Sequence, residues 1–153
     1  MYAGQPIVAV VPTIGRPALL DRCVSSLHGH VDDVIVVDGV SPVARARNEG
    51  VAKAPENAII FSVDDDCFYD DRLQLDRTLP FLNASVGVIQ VAHRPVGEQW
   101  AGYRAIQDAS SPKVWPCIFA WMAGGFLFRK SAWVEVGGYP DEFLDDVAFC
   151  VQL

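Results

Sequence analysis

The chain has 153 residues, about half of them hydrophobic, and a net charge of −7. That length is one domain by the usual prior and is enough to bury a sizeable core. The acidic balance argues against a nucleic-acid or anionic-membrane surface, which would need a basic face.

The run "PIVAVVP", Pro6 to Pro12, is continuously apolar and rich in Val and Ile. It predicts a strand buried on both faces, as in a parallel sheet. Thr13, Ile14 and Gly15 make a turn, and Pro17 suits the first position of a helix. Leu19, Leu20, Cys23, Val24 and Leu27 then recur at helical spacing, up to the "HGH" of His28 to His30. "VIVVDG", Val34 to Gly39, predicts a second buried strand with Asp38 at its carboxyl end. Ser41 and Pro42 read as the N-cap and first position of a second helix carrying Arg45, Arg47 and Asn48. "AIIFSV", Ala58 to Val63, is the third predicted strand and leads into Asp64, Asp65 and Asp66. Residues 1–66 thus read β-α-β-α-β, a doubly wound α/β pattern.

Beyond that point the expected elements are a helix over Asp71 to Leu82 broken near Pro80, and a strand over Val86 to His93. Residues 94–120 read as loop, with Trp100, Tyr103, Trp115 and Trp121 close by as core or sugar-facing aromatics. A strand over Gly124 to Arg129 and a short helix over Ser131 to Val136, closed by Gly137-Gly138, follow. A last helix begins around Asp145. The cysteines, Cys23, Cys67, Cys117 and Cys150, have no metal or redox spacing and predict reduced thiols. No stretch reaches the roughly 18 apolar residues of a membrane helix, and the first 12 residues lack a basic leader pattern. A cytoplasmic protein without a membrane span is expected. The three histidines, His28, His30 and His93, receive no ligand role.

In open α/β sheets ligands bind at the carboxyl ends of the strands. Thr13, Asp38 and Asp64–Asp66 all fall there. In an extended segment alternate side chains share a side, so Asp64 and Asp66 face one way and Asp65 the other. Clustered carboxylates repel unless they are protonated or hold a cation. Mg²⁺ or Mn²⁺ takes oxygen ligands, often one or two carboxylates plus substrate phosphates. The alternative is a solvated acidic turn.

Five stretches, "VVPTIGRPALLDRCVSSL", "VIVVDGVS", "ARNEGVAKA", "IIFSVDDDCF" and "AGGFLFRKSAWVEVGGYPDEFLDDVAF", occur in this order. Together they resemble the family 2 glycosyltransferases, which use nucleotide sugars and have the GT-A fold. The resemblance implies a single GT-A (Rossmann-like) domain over 1–153, with a mostly parallel sheet flanked by helices. Residues 1–66 would form the nucleotide-binding part and 67–153 the donor-sugar and acceptor part. It implies an inverting transfer from a nucleotide diphosphate sugar, most often UDP-linked, to an acceptor hydroxyl, with Mn²⁺ or Mg²⁺. By the same resemblance Thr13 and Asp38 contact the nucleoside, with Arg47 nearby. Asp64, Asp65 and Asp66 form the diphosphate and metal site, Asp66 and Asp64 as metal ligands. Gly124, Gly125 and Asp145 lie near donor sugar or acceptor, and Asp146 is the general base.

The pattern departs from the family at two places. Asp38 is followed by Gly39-Val40-Ser41 where two acids and Gly-Ser are common, and Asp145 stands where Glu is usual. The sequence stops at Leu153, soon after Asp146, so a short or truncated member is expected, completed by a homo-oligomer or a partner chain. Two other functions compete with the transferase. One is a nucleotide-sugar-binding module without turnover. The other is a metal-dependent nucleotidyltransferase, which would want a phosphate loop and a basic residue after the first strand; "PTIGRP" offers Gly15 and Arg16.

Overall fold

The computed structural model of the chain describes residues 1–69, 75–83, 86–91, 125–141 and residue 149. Its elements in chain order are β1 (Ile7–Thr13), α1 (Pro17–Leu27), β2 (Asp33–Asp38), α2 (Val43–Lys53) and β3 (Ile59–Ser62). They are followed by α3 (Leu75–Thr78), a 3₁₀ turn (Leu79–Phe81), β4 (Val88–Gln90), β5 (Phe126–Arg129) and α4 (Lys130–Val136). The β-α-β-α-β order expected of the first 66 residues is therefore present.

β1 is the reason the sheet has two covered faces. All seven of its residues are buried. Ile7, Ala9 and Val11 join Cys23 and Leu27 of α1, with Phe61, Leu75 and Leu127, on one side. Val8 and Val10 join Ala44 and Val51 of α2, with Ile60, Phe126 and Phe128, on the other. The period of two along the strand sends alternate side chains into opposite layers. A run apolar at every position is then what both layers require. α2 comes especially close at Gly50, where a Cβ would collide with the Val10 side chain and sit 3.2 Å from Val37 Cγ2.

Two expectations need correction. The sheet runs β2-β1-β3-β5-β4 and is mixed, not mostly parallel: β1 pairs with β2 and β3 in parallel, while β5 pairs antiparallel with both β3 and β4. The cause is β5, which inserts between β3 and β4 against their direction and sets Phe128 opposite Ile60 and Val88. β2 is not a buried strand either. Among the described strands it lies at the sheet edge, beside β1, and of its six residues only Val37 is buried.

Smaller differences fall at element ends. α1 begins at Pro17 as its fixed φ predicts. α2 begins one residue later than expected, with Pro42 rather than Ser41 in the capping position and no side-chain cap. Around Pro80 the chain tightens into the 3₁₀ turn instead of continuing the helix. α4 ends at Gly137, which takes the left-handed conformation (φ 84°) and donates its N–H to Val134 O. Of the final expected helix only Phe149 is described; it has helical backbone and is fully buried.

Candidate functional site

The parallel register sets Thr13, the last residue of β1, beside Asp38, the last of β2. The Gly39 N–H donates to Thr13 O at 3.1 Å and ties the two strand ends together. β3 ends at Ser62, and Val63 N–H donates to Val10 O before the chain turns at Asp64. The three polar stations expected at the carboxyl ends of β1, β2 and β3 are therefore on one edge of the sheet.

The three carboxylates occupy three different environments. Asp65 is 1% exposed and points inward. It accepts a 2.6 Å hydrogen bond from the Thr13 hydroxyl and one of 3.1 Å from Arg16 Nε, and its Oδ1 pairs with Arg16 Nη2. That last contact has the closeness of an ion pair but not the angle of a hydrogen bond. Asp64 is about a third exposed and accepts from Arg47 Nη2 at 2.8 Å. Asp66 is the most open, 54% exposed, and among the described residues meets the outer edge of Arg16, Nη1 to Oδ2 at 3.5 Å, and the Cys67 thiol. Asp65 is buried between two more exposed carboxylates, but Asp65 and Asp66 lie in a turn closed by Cys67 N–H to Asp64 O, not in the extended segment the alternation assumed.

Arg47 lies on the core-facing stripe of α2 with Ala44, Gly50 and Val51. A charge there needs a partner. Asp64 supplies it, and the Tyr139 ring lies 5.6 Å from the guanidinium. Tyr139 is fixed by Asn48, one residue along α2. Asn48 Nδ2 donates to Tyr139 O at 2.8 Å, and its Oδ1 accepts from Tyr139 N and from Trp133 Nε1. The Tyr139 ring in turn stacks on Phe149 at 4.1 Å.

The turn that carries the carboxylates is held from below. Cys67 N–H donates to Asp64 O, Tyr69 N–H donates to Ser26 Oγ, and the Cys23 thiol approaches Asp64 O at 3.6 Å. The thiols register the negative potential above them. Burial, then Asp65, Asp64 and Asp66, push Cys23 up to about 12. Burial, then Asp64 and Asp66, raise Cys67 as well. Gly125 packs against the same turn: a Cβ there would lie 2.7 Å from Phe61 and 2.8 Å from the Tyr69 hydroxyl. Its place in the fold accounts for a glycine by close packing. Gly124, Asp145 and Asp146 lie outside the described residues, as do Trp100, Tyr103, Trp115 and Trp121.

Beside the carboxylates opens a cleft of about 150 Å³, lined by Pro12, Thr13, Ile14, Arg16, Val40 and Val43. It joins the loop after β1 to the loop after β2. No protein-family model matches the chain, and no curated protein matches it. The function is therefore argued from the site. Among the described residues no three His, Cys, Asp or Glu side chains converge as a metal cage. A hard divalent ion that shares its shell with phosphates and water needs only one or two carboxylates. Asp66 and Asp64, the two that are partly exposed, have the right donor chemistry for that. Asp65 is committed to Thr13 and Arg16, so its role here is to orient them.

Arg16 is the site residue that sequence reasoning undervalued. It entered only as a basic residue after β1, yet it touches two of the three carboxylates and lines the cleft. Asn48 was placed only as a passenger on α2. Its signal in sequence is faint: a polar residue directly after the buried Arg47.

Proposed function

We propose that the chain is a glycosyltransferase of the family 2, GT-A kind, moving a sugar from a nucleotide diphosphate, UDP first among them, to an acceptor hydroxyl with inversion. The observation that supports it most is the carboxylate cluster at the carboxyl end of β3, paired with two arginines, one of which lines a cleft with Thr13. In this reading the nucleoside lies in the cleft against Ile14, Val40 and Val43, near Thr13 and Asp38. Asp66 and Asp64 hold Mn²⁺ or Mg²⁺ with the diphosphate. The ion, when bound, neutralises the charge that develops on the leaving diphosphate.

The chain's own groups supply the rest. Arg47 holds Asp64 in place, and Asp65 fixes Thr13 and Arg16. The acceptor oxygen bonds to the anomeric carbon as that carbon's bond to the diphosphate oxygen breaks. The acceptor's proton passes to a carboxylate within hydrogen-bond reach, assigned to Asp146 with Asp145 beside it. Base and leaving group on opposite faces of the sugar give inversion. The site is acidic, so an anionic donor is held through the cation. The nucleotidyltransferase reading ranks lower because it wants a Gly-rich phosphate loop after β1, where "PTIGRP" offers Gly15 and Arg16.

Calorimetric titration of UDP with Mn²⁺, and again with EDTA, tests this. Binding that depends on the metal and is lost in Asp66→Ala is expected. A folded sample that binds none of UDP, GDP or dTDP with either metal would refute the nucleotide site. Asp146→Asn should keep donor binding and lose transfer and donor hydrolysis; unchanged hydrolysis would leave a binding module without a base at that position.

A further inference from the structure

We propose that Arg16 is a resident counter-ion of the carboxylate cluster, holding Asp66 until an anionic diphosphate draws the guanidinium away, so that cation and nucleotide bind synergistically. This rests on the proposed nucleotide-diphosphate site.

The argument starts from the asymmetry of the two contacts. Towards Asp65 the guanidinium donates a 3.1 Å hydrogen bond from Nε to Oδ2 and sets Nη2 in ion-pair contact with Oδ1 of a buried carboxylate. A charge-assisted hydrogen bond and a charge contact on one buried group anchor the guanidinium. Towards Asp66 it presents only Nη1, at 3.5 Å, and both partners are about half exposed. Half-exposed pairs of this length are weak and exchange with water. Arg16 is therefore anchored on one carboxylate and loosely laid on the next.

Arg47 is not built in this way. Its side chain is only 7% exposed, held between Asp64 and the Tyr139 ring. Arg16 is 49% exposed and forms part of the cleft wall with Thr13, Ile14, Val40 and Val43. It can turn outward about its Asp65 anchor; Arg47 has no such freedom.

A divalent cation approaching Asp66 meets this fixed positive charge. Arginine keeps its proton at any working pH, so the repulsion is not relieved by titration. A diphosphate changes the balance, since its oxygens can accept a hydrogen bond from the freed Nη1 and coordinate the cation at once. Metal alone should bind weakly, nucleotide alone weakly, and the two together well. Removing the guanidinium should tighten binding of the bare cation by about two- to fivefold, the range of a half-exposed ion pair. The gain should shrink as salt is added.

The test is calorimetry on the full chain at low salt, comparing wild type, Arg16→Gln and Arg16→Lys, with circular dichroism as the check on folding. Mn²⁺ is titrated without nucleotide, then at saturating UDP. Arg16→Gln is expected to bind bare Mn²⁺ more tightly than wild type and to lose most of the enhancement that UDP gives. Arg16→Lys keeps the charge without the fork and should fall between them. Equal or weaker Mn²⁺ binding in Arg16→Gln overturns the proposal. Should that variant not fold, weaker Mn²⁺ binding in Arg16→Lys than in wild type overturns it. So does a wild-type Mn²⁺ affinity left unchanged by UDP that is shown to bind. If Arg16→Gln tightens Mn²⁺ while UDP binds to neither protein, the counter-ion role is supported and it is the nucleotide reading that fails.

Discussion

Asp65→Ala removes a carboxylate that is 1% exposed and serves two partners from distant parts of the chain. The Thr13 hydroxyl is buried with it, so truncation leaves that donor without an acceptor and without water. An orphaned buried hydroxyl costs about 1–3 kcal/mol. Arg16 is half exposed and water takes over its lost partner, which adds no more than about 1 kcal/mol. Together the loss is about 1–4 kcal/mol. For a domain of this length that corresponds to a fall of roughly 2–16 °C in Tm. Asp65→Asn keeps one acceptor for Thr13 and should lose about half as much. Asp66→Ala removes an exposed side chain with one loose contact, and should change stability by about 0.5 kcal/mol or less. Thermal and urea unfolding of the three variants decide it. If Asp65→Ala melts within about 2 °C of wild type, or if Asp66→Ala is the more damaging, then Asp65 is not the organising carboxylate.

Gly50→Ala should destabilise by about 1–3 kcal/mol, because the new methyl meets Val10 and forces α2 off the sheet; a neutral melt would refute the close approach. Asn48→Ala removes an acceptor from Tyr139 N and Trp133 Nε1 and a donor to Tyr139 O, so a loss of about 2 kcal/mol or more is expected with a shift in Trp133 fluorescence. An unchanged emission spectrum would count against that hub. Cys23 gives a pH prediction. Its folded value is raised from 9.0 to about 12, so its stabilising effect is complete below pH 9 and is lost as pH rises towards 12. The urea midpoint should fall across that window, and Cys23→Ala should flatten the fall; an identical slope in the variant would refute it.

How much of this could be read in advance depended on how local each cause is. β1 was legible because burial on both faces writes an unbroken apolar run. β2 has the same composition, with Val34, Ile35, Val36 and Val37, yet lies at the edge. Lateral order in a sheet is set by which strand inserts where, and no single strand's sequence carries it. The direction of β5 was hidden for the same reason: "FLFR" reads alike either way. Arg47 is expected near a nucleotide only by resemblance; its burial on the stripe of Ala44 and Val51, paired with Asp64, is a finding of the structure. Arg16 sits in a turn with no periodicity to flag it. Its bond to Asp65 spans 49 residues and depends on the register of β1 against β3.

The sheet edge would be strained by three adjacent carboxylates if each kept its full charge unanswered. Two are answered within the chain, Asp64 by Arg47 and Asp65 by Thr13 and Arg16. Both arginines are then largely committed, and Asp66 receives only the loose outer contact of one of them. The unanswered charge is thus placed on the most open of the three. Burial alone would raise the thiols of Cys23 and Cys67, but the carboxylates above add to the rise in both, so their field is felt beneath the turn as well as outside it. An acidic turn shaped only by solvent would have no use for a buried threonine hydroxyl and two arginines drawn in from α2 and the loop after β1. On the proposed function, the third and most open carboxylate is where a cation would bind. That openness is the physical ground for assigning the metal of the proposed function to Asp66 before Asp64, and for expecting Asp66→Ala to lose metal-dependent binding at almost no cost in stability.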